Sequence, residues 1–219
     1  MKINSILFFL IVMVTLFSCN KKDDFNYPKG TVGISKITYF ALLTLKGDIY
    51  MSVVKGQTFT DPGTTATVNG AAVPVTTSGT VDINTVGLYI ITYSAVNADG
   101  FAATTTRTVF VLPASETPGV DLSGSYTAVP VGSTPGPATI FKVAPGVYST
   151  SNCWGNSGAV IPAYFICVDG SSIIVPNQGS PYGNLETSSP GTYVSGLITW
   201  SIDLLGQGPL ISVKKWQKQ

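Results

Sequence analysis

The chain has 219 residues, 44% of them apolar, with 23 Gly and 14 Pro, which is enough core material for one large domain or two small ones. Charged residues make up only 11%, against roughly 25% in an average soluble domain, so a charge-driven disordered chain is excluded. Twelve Lys and Arg against eleven Asp and Glu leave no strong electrostatic footprint for nucleic acid, and the lack of any His excludes His-based triads, His general bases and His-ligated metals.

The amino terminus opens on Met1-Lys2 and an apolar run from Ile6 to Phe17 broken only by Thr15. Such a run is too short to cross a bilayer core of about 30 Å as a helix, but it suits the core of a signal peptide. Polarity switches abruptly at Cys19-Asn20-Lys21-Lys22-Asp23-Asp24. Leu16-Phe17-Ser18-Cys19 resembles the lipobox of a bacterial lipoprotein precursor, although Phe17 stands where smaller residues are commoner. The resemblance implies a signal peptide over 1–18, lipidation of Cys19 and a tether over 19–29. Lys2 is the one charged residue of the leader, so 11 basic and 11 acidic side chains remain in the mature chain. Lys22-Asp23-Asp24 resembles the surface-export signal of Bacteroidetes lipoproteins. That implies an outer-membrane lipid anchor with the protein facing the cell exterior.

From about Gly30 onward, short runs of Thr, Val, Ile, Tyr and Phe alternate with Gly, Pro, Asn and Asp, the mark of an all-β chain. Strands are expected at Ser35–Leu43, Asp48–Val54, Thr64–Val68, Gly79–Asp82, Leu88–Asn97 and Phe101–Leu112. The turn-rich segment 114–120 reads as a linker between a first domain over 30–113 and a second over 121–219. In the first, Asp61-Pro62-Gly63 and Ala98-Asp99-Gly100 supply turn chemistry, and Gly87-Leu88-Tyr89 is placed like a tyrosine corner. Together with Val86–Tyr93 and Arg107–Val111, these motifs resemble the immunoglobulin-like domains of bacterial surface proteins. The resemblance implies a β-sandwich that spaces or presents a functional part.

The second domain is expected to hold strands at Gly124–Val129, Ala138–Ala144, Val147–Asn152, Val160–Val168, Ser171–Val175, Thr192–Leu204 and Pro209–Trp216. Such a series fits a small antiparallel β-barrel, lipocalin-like in outline, or a second sandwich. Alternation places Val194, Ile198, Trp200, Ile202 and Leu204 on one face, with Trp200 in the core. Trp216, beside Lys214-Lys215, reads as edge packing under lysine stems. Its opening, Asp121-Leu122-Ser123-Gly124-Ser125-Tyr126, resembles C-terminal β domains of Bacteroidetes surface lipoproteins.

Trp154 lies in a polar, glycine-rich loop with Asn152 and Asn156, and Tyr182 and Asn184 lie in a second polar stretch. An indole face flanked by amides suits a sugar, whose apolar faces stack and whose hydroxyls pair with amides. The alternative is that Trp154 folds back as a lid on one barrel end. Cys153 and Cys167 are separated by 13 residues. Outside the cytoplasm they are candidates for a disulfide, stabilising by roughly 3 kcal/mol in the loop-entropy model, the alternative being two buried thiols.

Catalysis would need a carboxylate pair in the absence of His, and the second domain offers only Asp121, Asp169, Glu186 and Asp203. Asp169-Gly170 reads as a turn, and no motif connects Glu186 to Asp203, so no enzyme, cofactor or metal site is expected. The function expected is a non-catalytic surface lipoprotein whose immunoglobulin-like spacer presents a β domain to a neutral glycan or a surface protein complex, as an accessory to nutrient uptake. Alternatives are a structural or adhesive element without a small ligand, and a lipocalin-like carrier of an apolar molecule.

Overall fold

The computed structural model describes residues 28–32, 35–129, 135–205 and 211–219. The leader, Cys19 and Lys22-Asp23-Asp24 lie outside them. The chain divides into two units, Met1–Tyr39 and Phe40–Gln219. In the first, β1 (Thr31–Val32) pairs antiparallel with β2 (Ser35–Lys36). The protein is all-β, with no helix among the described residues.

The second unit begins with a sandwich built from β3 (Leu42–Leu45), β4 (Tyr50–Val54), β5 (Thr64–Val68), β6 (Ala71–Val73), β7 (Thr76–Ser78), β8 (Gly87–Val96) and β9 (Ala102–Leu112). One sheet runs β3-β5-β6 and the other β4-β9-β8-β7, with β4 and β9 parallel. Two clusters close the space between them, one of the small side chains Ala41, Ala66 and Ala95 and one of Ile91, Tyr93 and Val109. The expected tyrosine corner is present, because Tyr89 Oη donates to the Thr85 carbonyl at 2.8 Å. Further along the chain, Tyr126 Oη donates to the Leu122 carbonyl at 2.7 Å in the same fashion.

One charged side chain sits inside the sandwich. Arg107 is fully buried, and its Nε donates to the Asp48 carbonyl at 3.0 Å. Its guanidinium also meets the Asp61 carboxylate and the Lys46 carbonyl and donates to Tyr93 Oη at 2.9 Å. Tyr93 Oη in turn donates to Asp61 at 2.6 Å. The Asp61-Pro62-Gly63 turn therefore also supplies the counter-ion of a buried cation.

The remaining strands form the barrel: β10 (Gly124–Ala128), β11 (Pro137–Ala144), β12 (Val147–Thr150), β13 (Ala163–Ile166), β14 (Ser172–Ile173), β15 (Gln178–Ser180), β16 (Gly183–Thr187), β17 (Gly191–Val194), β18 (Leu197–Leu205) and β19 (Ile211–Lys218). They pair in the order β13-β12-β11-β10-β19-β18-β16-β15, while β17 pairs with the first part of β18 and with β14. The ring closes at β13. Ile166 and Ile174 exchange two backbone hydrogen bonds of 2.8 and 2.9 Å. Next to them the Gln178 side-chain amide imitates a peptide, accepting from Tyr164 N and donating to Tyr164 O, both at 2.7 Å. Of the two shapes expected for this part, the barrel is the one formed.

Its interior is filled by rings. Tyr148 stacks on Phe165 with centroids 5.3 Å apart, and Phe165 meets the edge of Trp200 at 5.4 Å. Trp216 is also fully buried rather than lying at the edge, because β19 is flanked by strands on both sides and its inward face belongs to the core.

The single strand expected over Thr192–Leu204 is instead a hairpin. Ser195 and Gly196 have φ of 50° and 84°, the consecutive positive values of a two-residue turn. Trp200, Ile202 and Leu204 still point inward with Ile198, but Val194 lies beyond the turn and is 64% exposed.

Residues 114–120 lie against the barrel. Thr117 N donates to the Val168 carbonyl at 2.7 Å, and Glu116 pairs with Lys142 at 2.8 Å. Phe110 and Leu112 of the sandwich bury against Val147, Ile166 and Val168 on the outer wall of the barrel. Gly146 permits this approach: a Cβ there would lie 2.9 Å from Val168 and 3.2 Å from Leu112, at a φ of +69°.

Candidate functional site

The Trp154 loop follows β12 and is organised by Asn152. That residue is 1% exposed, and its Oδ1 accepts from the backbone N–H groups of Trp154 and Gly155 at 3.0 and 3.3 Å. Its Nδ2 donates to the Asn156 carbonyl at 3.3 Å. Both ends of the Asn152 amide are thus used inside the loop, which makes it a scaffold residue rather than a sugar contact. Asn156 Oδ1 likewise accepts from Gly158 N at 2.8 Å. Trp154 is half-buried against the barrel core, and Lys214 Nζ sits 3.9 Å from its ring centroid. The indole is positioned as a lid, with one face covered by a cation.

Cys153 and Cys167 are both buried free thiols, so the expected disulfide is absent. The strand register explains why. Cys153 N donates to the Ile161 carbonyl, whereas Cys167 N donates to the Gly146 carbonyl at the opposite end of the β12–β13 ladder. Ile161 and Cys167 are six residues apart along nearly extended chain, or about 20 Å at ~3.3 Å per residue, far beyond the ~4.4–6.8 Å Cα separation a disulfide accepts. Burial pushes the Cys153 thiol up to about 12, against the opposing charge of Lys214, and the Cys167 thiol up to about 11, against backbone hydrogen bonds from Gly170, Ser171 and Asp169. Neither is a reactive thiolate at neutral pH.

Tyr182, 43% exposed, lies in the β15–β16 turn, and Asn184 is on β16. Asn184 belongs to a different arrangement: its Nδ2 donates to Asn177 Oδ1 at 3.1 Å, and Asn177 Nδ2 donates to Glu186 Oε2 at 3.0 Å. Glu186 and Asp203, unconnected by any sequence motif, are direct cross-strand partners on β16 and β18.

This ladder borders a groove along the seam between sandwich and barrel. Three adjoining hollows make it up. The first, of about 370 Å³, lies over β12 and β13 among Phe141, Ser149, Ser151 and Tyr164. It shares Tyr164, Gln178 and Gly179 with a second of about 590 Å³, whose far wall is Leu88, Tyr89 and Ile90 of β8. The third, of about 350 Å³, shares Leu88, Tyr89 and Asn177 with the second and is bordered by Glu186 and Thr187. Phe141 is 58% exposed and Ile90 52% exposed. Glu186 carries the one formal charge among the lining residues, which include no Lys or Arg. The floor is rigid: Tyr50 and Tyr164 share a 2.7 Å hydroxyl–hydroxyl hydrogen bond, and Phe110 meets Tyr164 edge-on at 5.6 Å. Burial, and then the Tyr50 hydrogen bond, push the Tyr164 phenol up to about 12, so it stays protonated.

Sequence reasoning missed this groove. Val175–Asn184 is dense in Pro, Gly, Ser and Asn and reads as loop, and the seam joins residues nearly 100 positions apart. The one local signal is the alternation in Gly183-Asn184-Leu185-Glu186-Thr187, whose central Leu185 is fully buried.

Fold and surface together define an all-β protein of two parts, a sandwich fused to the outer wall of a filled barrel. Residues 43–111, which take in most of the sandwich, match the family model of the bacterial surface protein Ig-like domain. The chain is also similar to the crystal structure of a lipoprotein from Bacteroides thetaiotaomicron, at 28% identity over 82% of this chain and 100% of that one, with a TM-score of 0.40. No curated protein matches.

Proposed function

We propose that the protein is a non-catalytic lipoprotein, held in the outer membrane through acylated Cys19 and facing the cell exterior, whose Ig-like domain presents the barrel to a glycan or a surface protein. It would act as an accessory to a nutrient-uptake system. The observation that carries this reading is the contrast between a barrel interior filled by Tyr148, Phe165, Trp200 and Trp216 and an open groove on its outer wall. A carrier needs room inside. A presented binding module needs a rigid, accessible exterior, and the bacterial surface Ig-like domain suits that use. The Glu186 carboxylate is held by Asn177, and Asp203 does not line the groove, which favours binding over glycoside cleavage.

A second reading, protein contact through the sandwich, is favoured by Phe40 and Phe101, which are 60% and 50% exposed with centroids 5.7 Å apart.

Palmitate labelling and protease treatment of intact cells test the anchoring. The wild-type chain should take up label and be degraded on intact cells, and Cys19→Ser should take up none. Replacing Lys22, Asp23 and Asp24 by Ala should keep the label but protect the chain. An unlabelled wild-type chain, or one spared by protease on intact cells, would contradict the proposal.

A further inference from the structure

We infer that the seam groove binds an uncharged, chain-like glycan, with Glu186 and Asn177 taking its hydroxyls and Tyr89 and Phe141 meeting its apolar faces. The inference rests on the reading of a surface-presented binding module and gives that module a site and a ligand class. Four features of the groove converge on it.

First, its shape is a run of connected hollows rather than one closed cavity, each within the ~300–1,000 Å³ typical of ligand sites. A chain of several sugar units fits such a run better than a compact metabolite does. Second, its lining alternates aromatic and aliphatic surface with hydroxyls and amides: Phe141 stands beside Ser149 and Ser151, and Tyr89 stands near Asn177. Sugars present apolar C–H faces next to hydroxyl edges, and this pattern matches both. Third, the polar groups are held in place before a ligand arrives. The Asn184–Asn177–Glu186 ladder fixes the carboxylate through Oε2, and its remaining lone pairs can accept from a pair of neighbouring hydroxyls. Fourth, the charge pattern excludes polyanions. With Glu186 present and no Lys or Arg in the lining, an acidic polysaccharide or a nucleic acid would meet repulsion without compensation.

Gly179 allows a clean test. It lines the first and second hollows, a Cβ placed on it meets nothing within 4 Å, and its φ is not in the left-handed region. Gly179→Leu should therefore obstruct the groove midway without straining the fold. Glu186→Gln keeps the shape and removes the charge, and it also relieves the like-charge pairing with Asp203.

The full mature chain, in detergent micelles, would be run on native gels containing dissolved starch, xylan, galactomannan, mixed-linkage β-glucan or levan. Retardation of the wild type by at least one of these is expected. Gly179→Leu and Glu186→Gln should each weaken it at least tenfold while unfolding in urea like the wild type, and Trp154→Ala should stay within twofold. The inference is overturned by no retardation in any gel, by retardation that survives both groove variants, or by loss confined to Trp154→Ala. Should Gly179→Leu misfold, Glu186→Gln alone decides. Acylation and protease exposure are read independently of these gels, so a failure of the groove and a failure of surface anchoring are distinguishable.

Discussion

Replacing Arg107 by leucine is expected to lower stability by about 3 kcal/mol, the low end of the usual cost of removing one partner of a buried ion pair, because the Asp61 side chain is 25% exposed. Arg107 is fully buried and links Asp61, Tyr93 and the carbonyls of Lys46 and Asp48. Leucine would leave two carbonyls without their donor and remove the counter-charge of Asp61, which keeps only its hydrogen bonds from Tyr93 and Gly63. The loss should depend on pH. Burial alone would raise the Asp61 carboxyl, but hydrogen bonds from Tyr93 and Gly63 and the charge of Arg107 outweigh it and hold the group below its usual 3.8. A depressed carboxyl contributes stability above its unfolded value and loses it as pH falls through the folded value. The gap between wild type and Arg107→Leu in urea unfolding should therefore be widest at neutral pH and narrow below about pH 4. A gap under about 1 kcal/mol at pH 7 would mean the network adds little.

Phe110→Ala should cost a similar amount, about 3–5 kcal/mol, because the ring is fully buried and large-to-small changes leave a cavity that the surroundings only partly close. Its location adds a second consequence. Phe110 packs between the sandwich sheet and the barrel wall, beside Val147, Ile166 and Tyr164. Loss of the ring should loosen the Tyr50–Tyr164 hydrogen bond and reduce polysaccharide retardation more than an equally destabilising change inside the barrel, such as Ile140→Ala. Equal retardation by the two variants at matched stability would show that the seam does not depend on this packing.

The sequence contains the Ig-like part plainly, since its turns use residues with local requirements: Asp61-Pro62-Gly63, the Tyr89 corner and Asn97–Phe101, where Asn97 Oδ1 accepts from Asp99 N and Phe101 N. The inward face Ile198, Trp200, Ile202 and Leu204 is legible for the same reason, because period-2 alternation is a local signal. Features set by distant pairing were not legible. The separation of Cys153 from Cys167 depends on the β12–β13 register, which the 13-residue spacing does not reveal. The use of Gln178 as a substitute peptide for Tyr164 depends on how the barrel closes. Composition flagged Trp154 and its asparagines as a site because they are polar and aromatic in a glycine-rich loop. Those same properties serve to cap the barrel, with Asn152 tying down the loop and Lys214 over the indole.

Hydrogen exchange on the full chain, with and without the polysaccharide that retards it most, tests the central claim most directly. Binding in the seam predicts added protection over 88–90, 149–151 and 177–187, with little change over 153–158. Protection centred on 153–158, or on Phe40 and Phe101 with the seam unchanged, would contradict it.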